Sequence, residues 1–507
     1  MKKSWICLLL TLCMAMGSVA ALANGLPVTT EPITFTVFGQ RDQNQANWDE
    51  VLVLNRYAEM SGVTMDWQEV PAQGYDEVKN LTFMNDQLPD LFIRAQLNNN
   101  DVIQYGMNSQ ILIPLNDLIE QYAPNLMALM EKYPAIRQSI TSSDGNIYTL
   151  PGIDISDTGL MDFKQWINKE WLAKLNLEMP TTTEELKQVL IAFRDGDPNG
   201  NGEADEIPMG IREPSSVYTL GGSFGLEFQM QDTYNVDENG KIHNWLCDDE
   251  FKAYLMFLND LYEEKLIWQE YYKNDRPMWR SNLSNALFGM FYMPYSDVFL
   301  AVEDQFTALP PVKGPEGHQI WSSTKNVASS GCFAISYTCP NPEIAIKWVD
   351  YFYSEEGSLF FRYGIEGETY YVDEAGQPRM NDDILKAPEG FMTALGKINL
   401  VPGGAFPVLI DNRTDGIVAS DLTKEVAAQF VDYLPKTRLA KPTVSIEDAE
   451  IVNAITQDLN TYRDTAVTKF IIGEWEFDKW DEYCQTLETI GIRQVEAVYQ
   501  KALDAAK

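Results

Sequence analysis

Histidine is nearly absent from this chain. His243 and His318 are the only two in 507 residues. Hydrolases built on Ser-His-Asp or Cys-His need an imidazole at their centre, so those reactions have little to work with. One G-x-S-x-G segment exists, "GGSFG" at 221–225 around Ser223. A nucleophile elbow also needs a strand before it, a helix after it and a histidine in reach. The preceding "SSVYTL" suits a strand, but "LEFQ" is a poor helix start, so a glycine-rich loop near a binding site is the expected role. No P-loop or dinucleotide fingerprint is present. Basic charge is also short: 38 Lys and Arg stand against 74 Asp and Glu, a net charge of −36. A nucleic-acid binder needs a basic face to displace counterions, and an anionic membrane surface would repel this chain. After the first residues no stretch stays apolar for the ~20 residues of a membrane span.

Cysteine is sparse and badly spaced for metal. Cys7 and Cys13 fall in the N-terminal apolar run, and Cys247, Cys332, Cys339 and Cys484 include no pair with ligand spacing. Cys332 and Cys339, in "CFAISYTC", would face opposite sides of a straight strand. Unpaired or buried thiols are expected.

The N-terminus carries Lys2 and Lys3, an apolar run and Ala21-Leu22-Ala23. This is the order of a secretory signal peptide, with cleavage expected after Ala23. The mature chain is therefore expected outside the cytoplasm, secreted or in the cell envelope. With 507 residues, 45% of them hydrophobic, the chain has enough for a large core and, by its length, about two to four domains. Aromatics reach 12%, which suits a surface that stacks on something flat.

Strand-like "ITFTVFG" (33–39), helix-like "NWDEVLVLNRYAEMSG" (47–62), strand "VTMDWQEV", helix "YDEVKNLTFMND" and strand "LPDLFIR" (88–94) alternate as in a parallel α/β sheet. Near "PGIDI" (151–155) the chain passes into a second unit. "TEELKQVLIAF" (183–193) reads as a helix capped by the threonines before it, and 249–267 as another. "NPEIAIKWVDYFYSEEG" (341–357) reads as one helix opened by Pro342 and closed by Gly357. The C-terminal ~80 residues are expected to be mainly helical.

"DPNGNGEADE" (197–206) places oxygen-bearing side chains at alternate positions among glycines. Calcium takes six to eight oxygens, and such a loop can wrap it. Two registers fit. One starts at Asp195 with Asp197, Asn199, Asn201, Glu203 and Glu206, the EF-hand pattern. The other starts at Asp197. Pro208 opposes a following helix, and no second loop exists for a pair, so a lone structural Ca2+ loop is expected.

The chain resembles the extracellular solute-binding proteins of carbohydrate ABC transporters, in the branch with the alginate-binding periplasmic proteins. The resemblance spans nearly the whole mature chain. It is carried by "PLNDLIEQYAPNL", "SSDGNIYTLP", "WINKEWLAKLNLEMPTTTEEL" followed by "FRDGDPNGNGEADEIP", "GMFY", "NPEIAIKWVDYFYSEEG", "YGIEGETYY" and the tail "FDKWDEYCQTLETIGIRQVEAVYQKALD". It implies a class II periplasmic-binding-protein fold: two α/β lobes joined by a hinge, a helical C-terminal tail, and glycan held between the lobes. The implied lobes are 24–152 with 322–420, and 153–321 with 421–507, after a signal peptide at 1–23. The branch's ten-residue calcium loop maps onto Asp197, Asn199, Asn201, Glu203 (carbonyl), Asp205 and Glu206. Many Gram-positive members carry a lipid-attachment cysteine at the end of the signal; this chain has none there.

The resemblance implies a monomeric binding protein, not an enzyme. It would deliver an oligosaccharide or sugar to ABC transporter membrane subunits. The alternative is a secreted glycoside hydrolase or lyase, which needs two carboxyls flanking the scissile bond. Aromatics near strand ends or loops are the ligand candidates: Trp48 and Tyr148 from the first lobe, and Trp166, Trp279, Tyr292 and Tyr295 from the second. Trp321, Glu366, Tyr370 and Tyr371 come from the later crossing segments. Trp268 and Trp348 sit in helical patterns and are assigned to the core.

Overall fold

A computed structural model describes residues 25–505 except 86, 230, 231, 238, 300, 418 and 436–443. The expected signal peptide lies outside the described residues. The chain divides into two compact units, one running to Asp154 and resuming over Val327–Ile417, the other covering Ile155–Asn326 and 418–505.

In the first unit, alternating β-branched and aromatic residues make β1 (Ile33–Arg41), with Phe35 and Val37 fully buried. A helix over Leu52–Ser61 follows and ends on Gly62 in the left-handed region, where the missing Cβ removes the steric penalty. β2 (Val63–Pro71) pairs parallel to β1 along its whole length. The helix Tyr75–Phe83 then returns the chain to β3 (Leu91–Ile93), parallel to β1 on its other side. Strand order reverses at β1, the place where α/β sheets collect their ligands.

The sheet is mixed, not purely parallel as the alternation implied. Strand Ala328–Ile335 sits between β3 and β4 (Leu150–Asp154) and is antiparallel to both. It arrives from the long second-unit segment, with no local crossover helix to impose a parallel direction. Leu409–Ile410 completes the six-stranded sheet beside β4.

Residues 341–357 correct a second expectation. The helix Pro342–Asp350 gives way to a tight turn at Tyr351–Tyr353, and Ser354 caps a new helix, Glu355–Tyr363. Gly357 lies inside that second helix. A Cβ there would stand 1.8 Å from the Tyr351 carbonyl oxygen, so close backbone approach, not helix termination, is why glycine occupies the position.

The second unit holds a four-stranded sheet in the order Phe306–Ala308, β5 (Lys164–Asn168), Phe288–Met293 and β6 (Ile207–Gly210). Only the β6 pairing with Phe288–Met293 is parallel. Every residue of β5 and of Phe288–Met293 is buried, which is why "FGMFYM" is a continuous apolar run rather than an alternating one. Thr182 caps the helix Thr183–Asp195 by accepting from the Glu185 amide. The tail is helical as expected, with helices at Asp421–Ala428, Ile446–Ile471, Trp480–Ile490 and Ile492–Ala505. "GGSFG" ends a 3-10 stretch, Pro214–Phe224, and the buried Ser223 hydroxyl donates to the Val312 carbonyl. No nucleophile elbow forms there. A Cβ on Gly222 would stand 1.8 Å from the Ile320 carbonyl oxygen, so this glycine serves close packing.

Asp350 joins two helices of the first unit. Its carboxylate accepts from the Asn125 and Leu126 amides (3.1 and 2.9 Å), at the start of the helix Pro124–Lys132. Burial raises the pKa of this carboxyl, and the two amides and the Asn125 side chain offset part of the rise. Asp350→Ala leaves those donors unmet, at about 1–3 kcal/mol for each buried unsatisfied group. The expected outcome is a melting temperature lower by several degrees, with Asp350→Asn intermediate, read by circular dichroism. Equal melting of Asp350→Ala and the parent would remove Asp350 as a helix cap.

Candidate functional site

The oxygen-rich loop starts where the helix Thr183–Asp195 stops. Asp195 is held by Arg194 through two hydrogen bonds of 2.7 and 2.9 Å. Both oxygens of that carboxylate are thereby engaged by a residue outside Asp197–Glu206. Asp197 stands at φ +46, and its two oxygens accept from the Gly200 and Gly202 amides (3.0 and 3.1 Å). Asn199 accepts from the Asn201 amide and Asn201 from the Glu203 amide. Both asparagine side chains donate to Asp205, at 2.8 Å from Asn199 and 3.0 Å from Asn201. These side chains therefore wrap a common space.

Glu206 tests the fit to a cation. Its Oε1 is buried and has no protein partner. Burial raises the pKa of its carboxyl, and Asp205 and Asp197 add to the rise despite backbone hydrogen bonds. A divalent cation would satisfy that oxygen and neutralise the like charges. Among the described residues, no three His, Cys, Asp or Glu side chains are gathered as a ready metal cluster; several loop oxygens are engaged by the loop's own amides.

At the carboxyl ends of β1 to β3 the first unit gathers polar groups around Trp48. The Trp48 amide donates to Glu69 Oε2 (2.7 Å), its indole donates to Gln45 (3.1 Å), and Arg41 lies 3.3 Å from Glu69. Burial raises the Glu69 pKa, and the Trp48 amide and Arg41 lower it in part. Arg94 follows β3 directly and is fully buried at φ +53; Gln96 follows at φ +51. Arg94 donates to the carbonyls of Leu400 (2.7 Å) and Pro402 (3.0 Å), while its Nη2 has no protein partner. Burial lowers its pKa to about 10 against the pull of Asp42.

The second unit has a matching group at one end of its sheet. Arg212 follows β6, lies 5.5 Å from the Phe163 ring centre and donates to Glu213 at 2.5 Å. Arg276 pairs with the same carboxylate. Burial pushes the Glu213 pKa up, but the two guanidiniums outweigh it and hold the carboxyl below its usual value. Lys164 Nζ stands 5.1 Å from the Tyr295 ring centre. Gln165 and Tyr292 are cross-strand partners, and Gln165 Oε1 and the Tyr292 hydroxyl are both buried without a protein partner.

The remaining candidates separate by burial. Trp166 is enclosed, with its indole donating to the Met293 carbonyl (2.9 Å) and Phe299 edge-on at 5.0 Å. Trp279 is enclosed as well, donating to the Gly210 carbonyl and packing on Phe288. Trp321 packs on Phe430 at 4.6 Å, and its indole nitrogen has no protein partner. Tyr148 covers Gly106 in a first-unit cluster and donates to Asp144 (2.7 Å). Trp48 is also fully buried, edge-on to Trp67. Tyr370 is buried against Tyr363, whereas Glu366 is exposed and Tyr371 is 50% exposed. Trp268 and Trp348 are buried. The structure brings Trp166 and Tyr292 onto neighbouring strands with Tyr295 two residues past the end of Phe288–Met293, and leaves Glu366, Tyr370 and Tyr371 in and beside a separate hairpin.

Arg94, Gln96, Arg212 and Glu213 were not singled out from the sequence. The available signal was position: "LFIRAQ" and "MGIRE" each put a charged residue just past the end of a parallel strand.

Comparison with known proteins fits these features. The fructooligosaccharide ABC transporter substrate-binding protein FusA of Streptococcus pneumoniae is 28% identical over 476 residues, covering 90% of this chain and 87% of its own. A solved structure of an EF-hand mutant of S. pneumoniae FusA with fructo-nystose superposes with a TM-score of 0.70 at 25% identity, covering 93% of this chain and 99% of that one. The alginate-binding protein AlgQ2, solved without calcium ion, shares the fold with a TM-score of 0.69 at 23% identity, over 94% of this chain and 99% of that one. Residues 43–358 match the family described as bacterial extracellular solute-binding protein. The two α/β units and the helical tail are thus a family architecture, and the chain belongs to the bacterial extracellular solute-binding proteins.

Proposed function

We propose that this protein captures an oligosaccharide outside the cytoplasm and delivers it, unaltered, to the membrane subunits of an ABC transporter. The two compact units serve as its lobes. The observation that carries the reading is the set of buried polar groups left unpaired at or beside the strand ends: Arg94 Nη2, Arg212 Nε, Gln165 Oε1 and the Tyr292 hydroxyl. Buried polar atoms are ordinarily satisfied, and sugar hydroxyls donate and accept at once. FusA, named for fructooligosaccharides, makes short fructose oligomers the first ligands to test. Tyr295, partly exposed beside Lys164, is the aromatic best placed to meet a sugar face. The enclosed tryptophans shape the lobes rather than stack on ligand.

Isothermal titration with a panel of oligosaccharides that includes kestose should yield a ligand, recovered intact after long incubation. Tyr295→Ala is expected to weaken binding several-fold, as loss of an aromatic contact of about 0.5–1.5 kcal/mol would do, with little change in melting. Trp279→Ala should instead cost about 3–5 kcal/mol of stability. Unchanged affinity in Tyr295→Ala would remove this tyrosine from the site. Product accumulating in proportion to protein would replace binding with hydrolysis.

We also propose one structural Ca2+, held by side-chain oxygens of Asp197, Asn199, Asn201, Asp205 and Glu206 and by the Glu203 carbonyl. It would fasten the end of helix Thr183–Asp195 to β6. An ion that binds only the folded state stabilises it by ~2.7 kcal/mol at a hundredfold excess over its dissociation constant. Chelator should lower the melting temperature, added calcium should restore it, and Asp205→Ala should melt like the stripped protein. Elemental analysis that finds no calcium, with no chelator response, would end the assignment.

Export is proposed to follow cleavage after Ala23, leaving 507 − 23 = 484 residues. Terminal sequencing of exported protein should then begin at Asn24; a start at a lipid-bearing Cys13 would contradict it.

A further inference from the structure

Two charged side chains of the first unit face one glycine, and each leaves a hydrogen-bonding atom unmet. Arg94 donates from Nε to the Gln40 carbonyl (3.2 Å) and from Nη1 to the carbonyls of Leu400 and Pro402 (2.7 and 3.0 Å). The Gln45 side chain donates to the same two carbonyls (3.3 and 2.9 Å). Residues 400–402 are thus pinned by two buried side chains. Asp42, the residue after β1, accepts on Oδ1 from the Asn44 amide and side chain (2.8 and 3.0 Å), and its own amide donates to Gln45 (3.1 Å). Two atoms remain. Arg94 Nη2 has no protein partner, and Asp42 Oδ2 accepts from no donor among the described residues.

Gly403 lies against both atoms. A Cβ there would stand 2.6 Å from Arg94 Nη2 and 3.0 Å from Asp42 Oδ2, so any side chain would crowd the space between them. Gly403, Gly404 and Ala405 all occupy the left-handed region, at φ +83, +59 and +51. Such a run is costly, for Ala405 above all, and backbone strain of this kind gathers at ligand clamps. Gly403 and Gly404 are exposed, and a Cβ at Gly404 would meet nothing within 4 Å, so the outer side of the loop is open.

We propose that Arg94 Nη2 and Asp42 Oδ2 together hold one hydroxyl of the oligosaccharide beside Gly403, making Asp42, Arg94 and residues 401–405 a sugar subsite of the first unit. The proposal rests on the reading of the protein as an oligosaccharide receptor. A guanidinium only donates and an ionised carboxylate only accepts. A sugar hydroxyl does both at once: its oxygen accepts from Nη2 and its hydrogen goes to Oδ2. A cation would be repelled by Arg94 and an anion by Asp42, so a neutral group that donates and accepts suits the pair. Hydrogen bonds to ionised partners are the strong ones. No side chain covers Nη2 at Gly403, and two adjacent glycines can yield to admit the hydroxyl. Arg94, Gln45 and Asp42 are held by backbone partners before ligand arrives, which limits the ordering that binding must impose.

Calorimetric titration of the full mature chain with kestose and a panel of other neutral oligosaccharides tests this, each variant being titrated well below its melting temperature. Asp42→Asn keeps the oxygen that Asn44 uses and turns the free acceptor into a donor. It should weaken binding of whichever oligosaccharide the parent takes by about tenfold or more, as loss of a hydrogen bond to a charged group does. The ligand-free variant should melt as the parent does. Gly403→Ala should weaken binding at least as much. Parent-like affinity in Asp42→Asn would show that water rather than sugar meets the two atoms, and would overturn the subsite. A variant that loses melting temperature but keeps its affinity would overturn it too, since a purely structural role gives that result. A parent that binds no oligosaccharide would remove the receptor reading and the subsite together, whereas binding indifferent to Asp42 removes the subsite alone.

Discussion

One set of backbone hydrogen bonds governs the first unit: those of strand Ala328–Ile335, set between β3 and β4. Without that strand β3 would be an open edge and β4 would lose its link to β1–β3. Yet the strand is made only after the whole segment 155–326, which belongs to the other unit. Unmet backbone groups in a sheet interior are costly, so the first unit cannot settle until the chain has gone out and come back. Pairings of such sequence separation are slow to form because loop closure precedes any gain from contact. The second unit has a milder form of the same dependence, since its core includes Val426, Phe470, Trp480 and Tyr483 from the C-terminal segment.

Local signals were legible and distant ones were not. β1, β2 and the helix Leu52–Ser61 were readable because periodicity and Gly62 act within a few residues. The Asp197–Glu206 loop was readable for the same reason: alternate oxygens and glycines act on neighbouring amides. Two registers fitted the residues alone, and sequence could not show that Asp195, the first position of one of them, is held by Arg194. The direction of Ala328–Ile335 and the true role of Gly357 depend on atoms met in three dimensions, the latter on the Tyr351 carbonyl.

Aromatics near strand ends are ambiguous in sequence. A tryptophan near a strand end serves equally well as a ligand platform or as a wedge between sheet and helix, and sequence position does not separate the two. Trp166 and Trp279 are wedges, each anchored by its indole N–H to a backbone carbonyl. The polar residues beside them carry more information. Arg94 and Arg212 occupy places where burying a guanidinium is expensive, and each leaves one nitrogen without a protein partner. Glu69 is tied into an ion pair with Arg41 and Glu213 into one with Arg212, an arrangement suited to fixed hydrogen-bonding geometry.

The chain passes between the two units after Asp154, after Asn326 and after Ile417. Covalent continuity between them is therefore held three times over. A protease that cuts one passage leaves two others intact: after a cut at either of the first two, both fragments keep strands in the six-stranded sheet, and after a cut at the third the C-terminal helices stay packed in the second unit's core. Scission at a single crossing yields a nicked molecule rather than two separated halves, so the linkage tolerates chemical damage that would dissect a protein built as two beads on one string.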